Sequence, residues 1–304
     1  MAISDELTRI QTAKADIKAS IEAKGVTIPS SALIDQYADY VDEIQTGGGG
    51  GQAEEDLKNL IEGSFTTFDI PEGTTKIGSG AFRGFTNLTD VTIPEGVISI
   101  DNEAFRECTS LEEVIIPSSV RSIGENAFQN CTGLTSVEIP DSVTSIGNSA
   151  FSGCSVLTSV TIGNGVTSID NQAFYKCYGL TSVTIGNSVR SIGENAFNNC
   201  SGFTSITIPN SVTEIGTTAF QYCTSLTSVT IGSGVTSIGR QAFYKCSSLT
   251  SVTIQATTPP TLVYSNAFLD TNNCPIYVPA ASVNAYKTAT DWENYSTRIQ
   301  AISE

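Results

Sequence analysis

Gly147 to Ile169 reads GNSAFSGCSVLTSVTIGNGVTSI, and nearly the same 23 residues return along most of the chain. Phenylalanines mark the period at Phe82, Phe105, Phe128, Phe151, Phe174, Phe197, Phe220 and Phe243. A fixed period of this length means stacked supersecondary units, each burying its apolar side only against its neighbours. In the copy around Phe151, Leu157, Val160 and Ile162 have L-x-x-L-x-L spacing, and Val160-Thr161-Ile162 alternates in, out, in. Val166 to Ile169 reads as a second extended piece, with Gly163, Asn164 and Gly165 as the turn between the two. Asn148 to Cys154 suits a turn or a single helical turn, and the Phe column is expected to be the spine of the core.

These residues carry a resemblance. The unit AFxxCxxLTSVTIPxSVTSIG resembles the BspA-like leucine-rich repeats of bacterial surface proteins, a group related to treponemal repeat proteins, from about Phe68 to Ile254. Phe85 stands where later copies have cysteine, Phe203 and Ile206 replace the usual Leu and Val, and no Asn column follows the strand. The resemblance implies binding or adhesion and leaves the ligand open. The expected fold is a mainly β repeat solenoid of the leucine-rich type, with 23-residue coils and parallel strands, an N-terminal helical hairpin and helical end caps.

The chain divides into residues 1–46, a helical attachment or oligomerisation module; 47–52, a Gly-rich linker; 53–255, the solenoid with an N-terminal cap helix; and 256–304, a C-terminal repeat and cap. In the first module, Ile3, Leu7, Ile10, Ile17 and Ile21 share a stripe on one helix, and Leu33, Tyr37, Val41 and Ile44 share one on a second. The two helices can pair as a hairpin or supply a seam for self-association. This module resembles the N-terminal modules of bacteriophage tail and tail-fibre proteins, which implies attachment to other virion proteins and a homotrimer. Glu54 to Glu62 reads as the cap helix over the first coil. Near the other end, Phe243 to Phe268 spans 25 residues, with Thr257 to Pro260 as the inserted loop. Ile276 to Pro279 is expected as a last strand, Ala280 to Ala289 as a helix, and Trp292, Tyr295, Ile299 and Ile302 as an apolar lid.

Net charge is −16, from 15 Lys and Arg against 31 Asp and Glu. Neither residues 1–62 (12 acids, 5 bases) nor 63–255 (15 acids, 8 bases) has a basic excess, which argues against a nucleic-acid partner. No apolar run reaches membrane-spanning length and no secretory signal opens the sequence, so neither membrane insertion nor Sec-type export is expected. Cys108, Cys131, Cys154, Cys177, Cys200, Cys223 and Cys246 each follow a repeat Phe by three residues. They read as a column of buried, reduced thiols, because parallel stacked side chains do not present disulfide geometry. Cys274 falls off the column and has no evident role. There is no histidine, no metal-ligand spacing and no nucleotide, protease or hydrolase motif. No enzyme, cofactor or metal is therefore expected.

The leading functional expectation is a virion-associated bacteriophage tail protein presenting the solenoid to a host-surface protein or glycan. The alternatives are a bacterial cell-surface adhesin, a structural spacer, and a flat Ser/Thr array (Ser159-Thr161, Ser182-Thr184 and their equivalents) for ice or crystalline carbohydrate. The candidate ligand residues are Tyr175, Lys176, Tyr178, Tyr222, Tyr244 and Lys245, expected to form one exposed strip, since residues flanking the buried Phe and Cys must point outward.

Overall fold

The computed structural model describes residues 66–70 and 72–303. The N-terminal module, the glycine linker and the cap helix expected at Glu54 to Glu62 lie outside the described residues. From Thr67 onward the chain is a parallel solenoid with three faces per coil.

The first face carries the longer strands, such as Ser159–Ile162 and Ser228–Ile231. They pair in parallel exactly one repeat apart in register, with Ser182 opposite Ser159, Val183 opposite Val160 and Thr184 opposite Thr161. The alternating pattern puts Val160 and Ile162 inside and Ser159 and Thr161 in solvent. This face is divided into sheets of three, three and five strands. The second interruption falls between Ser182–Thr184 and Ser205–Ile208. There Phe203 occupies the leucine position and is fully buried, while Val183 loses the complete burial of its equivalents. The larger ring coincides with the missing strand pairing. No comparable residue marks the first interruption.

The second face is a continuous sheet of nine two-residue strands, from Lys76–Ile77 to Thr261–Leu262. Each presents one buried isoleucine or leucine, such as Ile169 or Ile192.

The third face has no strands, yet it is hydrogen-bonded from coil to coil. The amides of Gln172, Phe174 and Lys176 donate to the carbonyls of Glu194, Ala196 and Asn198 at 2.8, 2.8 and 2.9 Å. The residues two before and two after each repeat Phe from Phe82 to Phe243 adopt left-handed backbone, as at Gln172 (φ 57°) and Lys176 (φ 60°). The segment predicted as a turn is thus a ladder built on paired left-handed residues, called the turn face below.

The phenylalanines stack inside this face. Successive rings from Phe82 to Phe243 lie 4.9–5.4 Å apart and within 9° of parallel. The stack continues into Phe268, at 5.2 Å and 2°, despite the longer spacing. The two extra residues are split. Thr261 lies 24 positions after its partner Ser237, so one is absorbed before the short strand and one after it, not both in the Thr257 to Pro260 loop.

The C-terminal cap departs from expectation in two places. Ile276–Val278 is not the last strand, because Ile299–Ala301 pairs in parallel beyond it. Ile302 is 36% exposed and stands outside the lid. The lid consists of Trp292, Tyr295 and Ile299 with Tyr286, from the helix Val283–Thr288. Tyr286 and Trp292 donate to the carbonyls of Ala256 and Pro260 at 2.8 and 2.7 Å, satisfying their polar atoms inside the lid. Cys274 is buried here. Arg298 donates to its carbonyl at 2.8 Å and to the Thr271 hydroxyl at 2.9 Å, which gives this cysteine a place in the cap.

Candidate functional site

The interior of the solenoid is filled. All eight cysteines are free and buried. Burial pushes the thiols of Cys131, Cys154, Cys200 and Cys223 well above the ordinary thiol range. Among the described residues no group of His, Cys, Asp or Glu could hold a metal ion. Among the described residues, the candidate binding side chains lie on the outer faces of the coils.

The six candidate residues all lie on the turn face, in two groups. Tyr175 and Tyr244 follow the stacked Phe directly, Lys176, Tyr222 and Lys245 follow it by two, and Tyr178 by four. In the first group Lys176 Nζ lies over the Tyr175 ring at 5.0 Å, and Tyr178 stands out at 46% exposure. In the second, the Tyr222 and Tyr244 rings meet edge to face at 6.0 Å. Lys245 Nζ lies over both, at 5.4 and 5.3 Å. The Tyr222 amide donates to the Tyr244 carbonyl at 3.0 Å, so the backbone ladder itself holds these two residues together.

The groups do not merge into one strip. The coil between them presents Asn198 and Asn199, and no ring contact joins the groups among the described residues. Tyr175, Tyr222 and Tyr244 are half-buried, lying along the face. Tyr222 has φ 60°, at a position that other coils fill with Gly84, Glu107, Asn130, Gly153, Lys176, Asn199 or Lys245. A bulky side chain in left-handed backbone is uncommon, and here the coil-to-coil ladder imposes that conformation on every coil.

Sequence reasoning passed over further members of this region. Leu269 is 49% exposed and its carbonyl accepts from the Lys245 amide at 3.1 Å. Tyr264 is 57% exposed, with the Arg240 guanidinium 5.6 Å from its ring. Both sit in the coil where the repeat loosens, which hid their equivalence to the regular columns. At the other end the same face is ionic instead: Glu103 bridges Arg83 and Arg106 at 2.6 and 3.0 Å. Concavities also occur among the described residues. One of about 500 Å³ is lined by polar groups including Asp170, Asn171, Glu194 and Glu214. One of about 700 Å³ lies beside Leu269, Asp270 and Arg298.

Parallel coils of 23 residues, a one-per-coil aromatic spine and a packed interior define a leucine-rich repeat solenoid, a scaffold that is typically non-catalytic. The sequence pattern of the BspA type leucine rich repeat region matches residues 61–181 and 167–289, and the chain belongs to that family. Among solved structures it is similar to a leucine rich cell surface protein from Faecalibacterium prausnitzii, with 26% identity over 79% of this chain and 89% of that one and a TM-score of 0.53. It is also similar to a leucine-rich repeat protein from Bacteroides ovatus (23% identity, 81% and 86% covered, TM-score 0.44). A third is the T. pallidum leucine rich repeat protein (25% identity, 68% and 87% covered, TM-score 0.45). No curated protein matches the chain. No enzymatic family is indicated.

Proposed function

We propose that the chain is the binding scaffold of a bacterial cell-surface protein, an adhesin-like module that holds a protein or glycan of another surface on its turn face. The observation that carries this reading is the pair of tyrosine and lysine groups, Tyr175-Lys176-Tyr178 and Tyr222-Tyr244-Lys245, standing on an otherwise repetitive, hydrogen-bonded face. Exposed aromatic and basic side chains on a rigid element are the usual anchors of recognition. Likeness to a leucine rich cell surface protein supports the location. No helix among the described residues is long and apolar enough to cross a membrane. The reading as a bacteriophage tail protein rests on residues 1–46, outside the described residues, and the relatives named above lend it no support.

The test is binding of the labelled full-length chain to immobilised glycans, matrix proteins and whole cells, repeated with Tyr178→Ser and Tyr222→Asn. Asn suits the left-handed backbone at 222, as it does at Asn130 and Asn199. Both variants should keep the unfolding midpoint and lose binding to the surface that retains the wild type. Retained binding in both would remove the turn face from the function.

A further inference from the structure

The charge of the molecule changes sign on five consecutive coils of the turn face. In a chain of net charge −16, the face segments 148–156, 171–179, 194–202, 217–225 and 240–248 contain three bases, Lys176, Arg240 and Lys245, and one acid, Glu194. That is a net charge of +2, three positive less one negative, over five consecutive coils. Among the described residues, the ion pairs of this face lie in its first coils, at Arg83, Glu103, Arg106 and Glu107. Lys176 and Lys245 have no carboxylate within ion-pair distance among the described residues, and each is laid over tyrosine rings instead. Asp270, one coil beyond Lys245 at the matching position, does not pair with it.

The two lysines are equivalent. Both sit two residues after a stacked Phe, in left-handed backbone (φ 60° and 58°), within the same Tyr-Lys-Cys sequence three coils apart. At the ~4.8 Å rise of paired strands this separates the two backbone positions by about 15 Å along the face. Amides and hydroxyls fill the interval, including Asn198, Asn199 and Gln221.

Building on the binding-scaffold reading, we propose that this face binds a linear polysaccharide carrying an acid group on repeating residues. Lys176 and Lys245 take two acid groups of one chain, Tyr175, Tyr222 and Tyr244 hold the ammonium groups in place, and the exposed Tyr178 ring takes a sugar ring against its face. A lone ammonium beside an aromatic ring suits a carboxylate on an otherwise apolar-faced pyranose. The exposed aromatic area is spread over two small groups, which does not match the roughly 800 Å² a protein partner covers on each side. The overall negative charge does not prevent contact, because charges beyond about 8 Å are screened at physiological salt.

The experiment is titration calorimetry of the full-length chain with short and long oligogalacturonates (about three and about twelve residues) at physiological salt, with neutral dextran and single-stranded DNA as comparisons. The long oligomer should bind about 100-fold tighter than the short one, because the second lysine is engaged within one chain. Lys176→Asn and Lys245→Asn keep a residue that Asn130 and Asn199 show to be at home in this backbone position, so both should fold as the wild type does. Each alone should remove most of the length effect, and the double variant should remove binding. Dextran and DNA should not bind. Affinity independent of length, equal binding of DNA, or a double variant as tight as the wild type overturns the proposal. If no oligogalacturonate binds while Tyr178→Ser and Tyr222→Asn still lose cell or matrix binding, the acidic-glycan inference falls and the scaffold reading stands.

Discussion

The thiol of Cys154 donates to the carbonyl of Phe128, 26 residues earlier in the preceding coil, at 3.2 Å. The same bond repeats from Cys108 on Phe82 to Cys246 on Phe220, at 3.0–3.3 Å. The cysteine column therefore fills space as a small hydrophobe and also clips each coil to the backbone of the one before.

This arrangement makes stability sensitive to alkali. The folded state holds the thiols of Cys131, Cys154, Cys200 and Cys223 protonated, because burial raises their pKa. The unfolded chain releases those protons above about pH 8.5. Above that point the unfolded state binds fewer protons, so stability is complete at neutral pH and falls as pH rises, by about 1.4 kcal/mol per pH unit for each such thiol. Urea titrations between neutrality and pH 10 should show the slope, and Cys154→Ala should lower it by one thiol's share. A flat profile, or rapid thiol labelling of the native protein, refutes the buried-thiol account.

Phe174 lies between Phe151 and Phe197, 5.4 and 5.2 Å from each, and is fully buried. Phe174→Ala should cost about 3–5 kcal/mol in urea unfolding, since neighbouring rings held by their own coils cannot close the gap. A loss under about 1 kcal/mol would mean that the column relaxes into the cavity.

Gly153 has φ 78°, and an added Cβ would also meet the Asn130 side chain. Gly153→Ala should cost about 1–2 kcal/mol. Gly78 has open space around it and no left-handed backbone, so Gly78→Ala is the control and should be near neutral. Equal effects at the two sites would show that the left-handed ladder is not required.

Phe203→Leu should let the two strand-face sheets meet. Hydrogen exchange at the amides of Thr204 and Ser205 should slow by about tenfold, as ladder bonds form to the coil of Ser182–Thr184. Unchanged exchange would clear the Phe203 ring of responsibility for the interruption.

Self-association through residues 1–46 is a separate proposal. Light scattering should give a larger assembly for the full chain than for one starting at Gln52, and monomers in both would end it.

The solenoid was legible because its information is written many times over. A single Phe every 23 residues predicts the spine, and the alternation at Val160-Thr161-Ile162 predicts which strand residues face water. The left-handed ladder of the turn face was also written, in Gly80, Gly84 and Gly153 and in Asn126, Asn130, Asn195 and Asn199. It was obscured because Glu103, Gln172, Lys176, Tyr222 and Lys245 occupy the same backbone without propensity for it. Asn130 and Asn199, beside the cysteine column, owe their residue type to this backbone, with φ of 59° and 63°. The candidate site was half legible. The residue types and the face followed from position relative to Phe and Cys. Their division into two groups did not, because it depends on how far each side chain lies along the face. Leu269 and Tyr264 were hidden by the two extra residues of the last coil.

The one-repeat register also has a genetic consequence. On the turn face each coil meets its neighbours through the same ring and backbone contacts, so an in-frame duplication or loss of one unit between Phe174 and Phe243 leaves the remaining rings able to stack. What changes is the distance between Lys176 and Lys245, in whole steps of one coil. Unequal recombination within such a gene would then retune the reach of the protein while leaving its folding untouched.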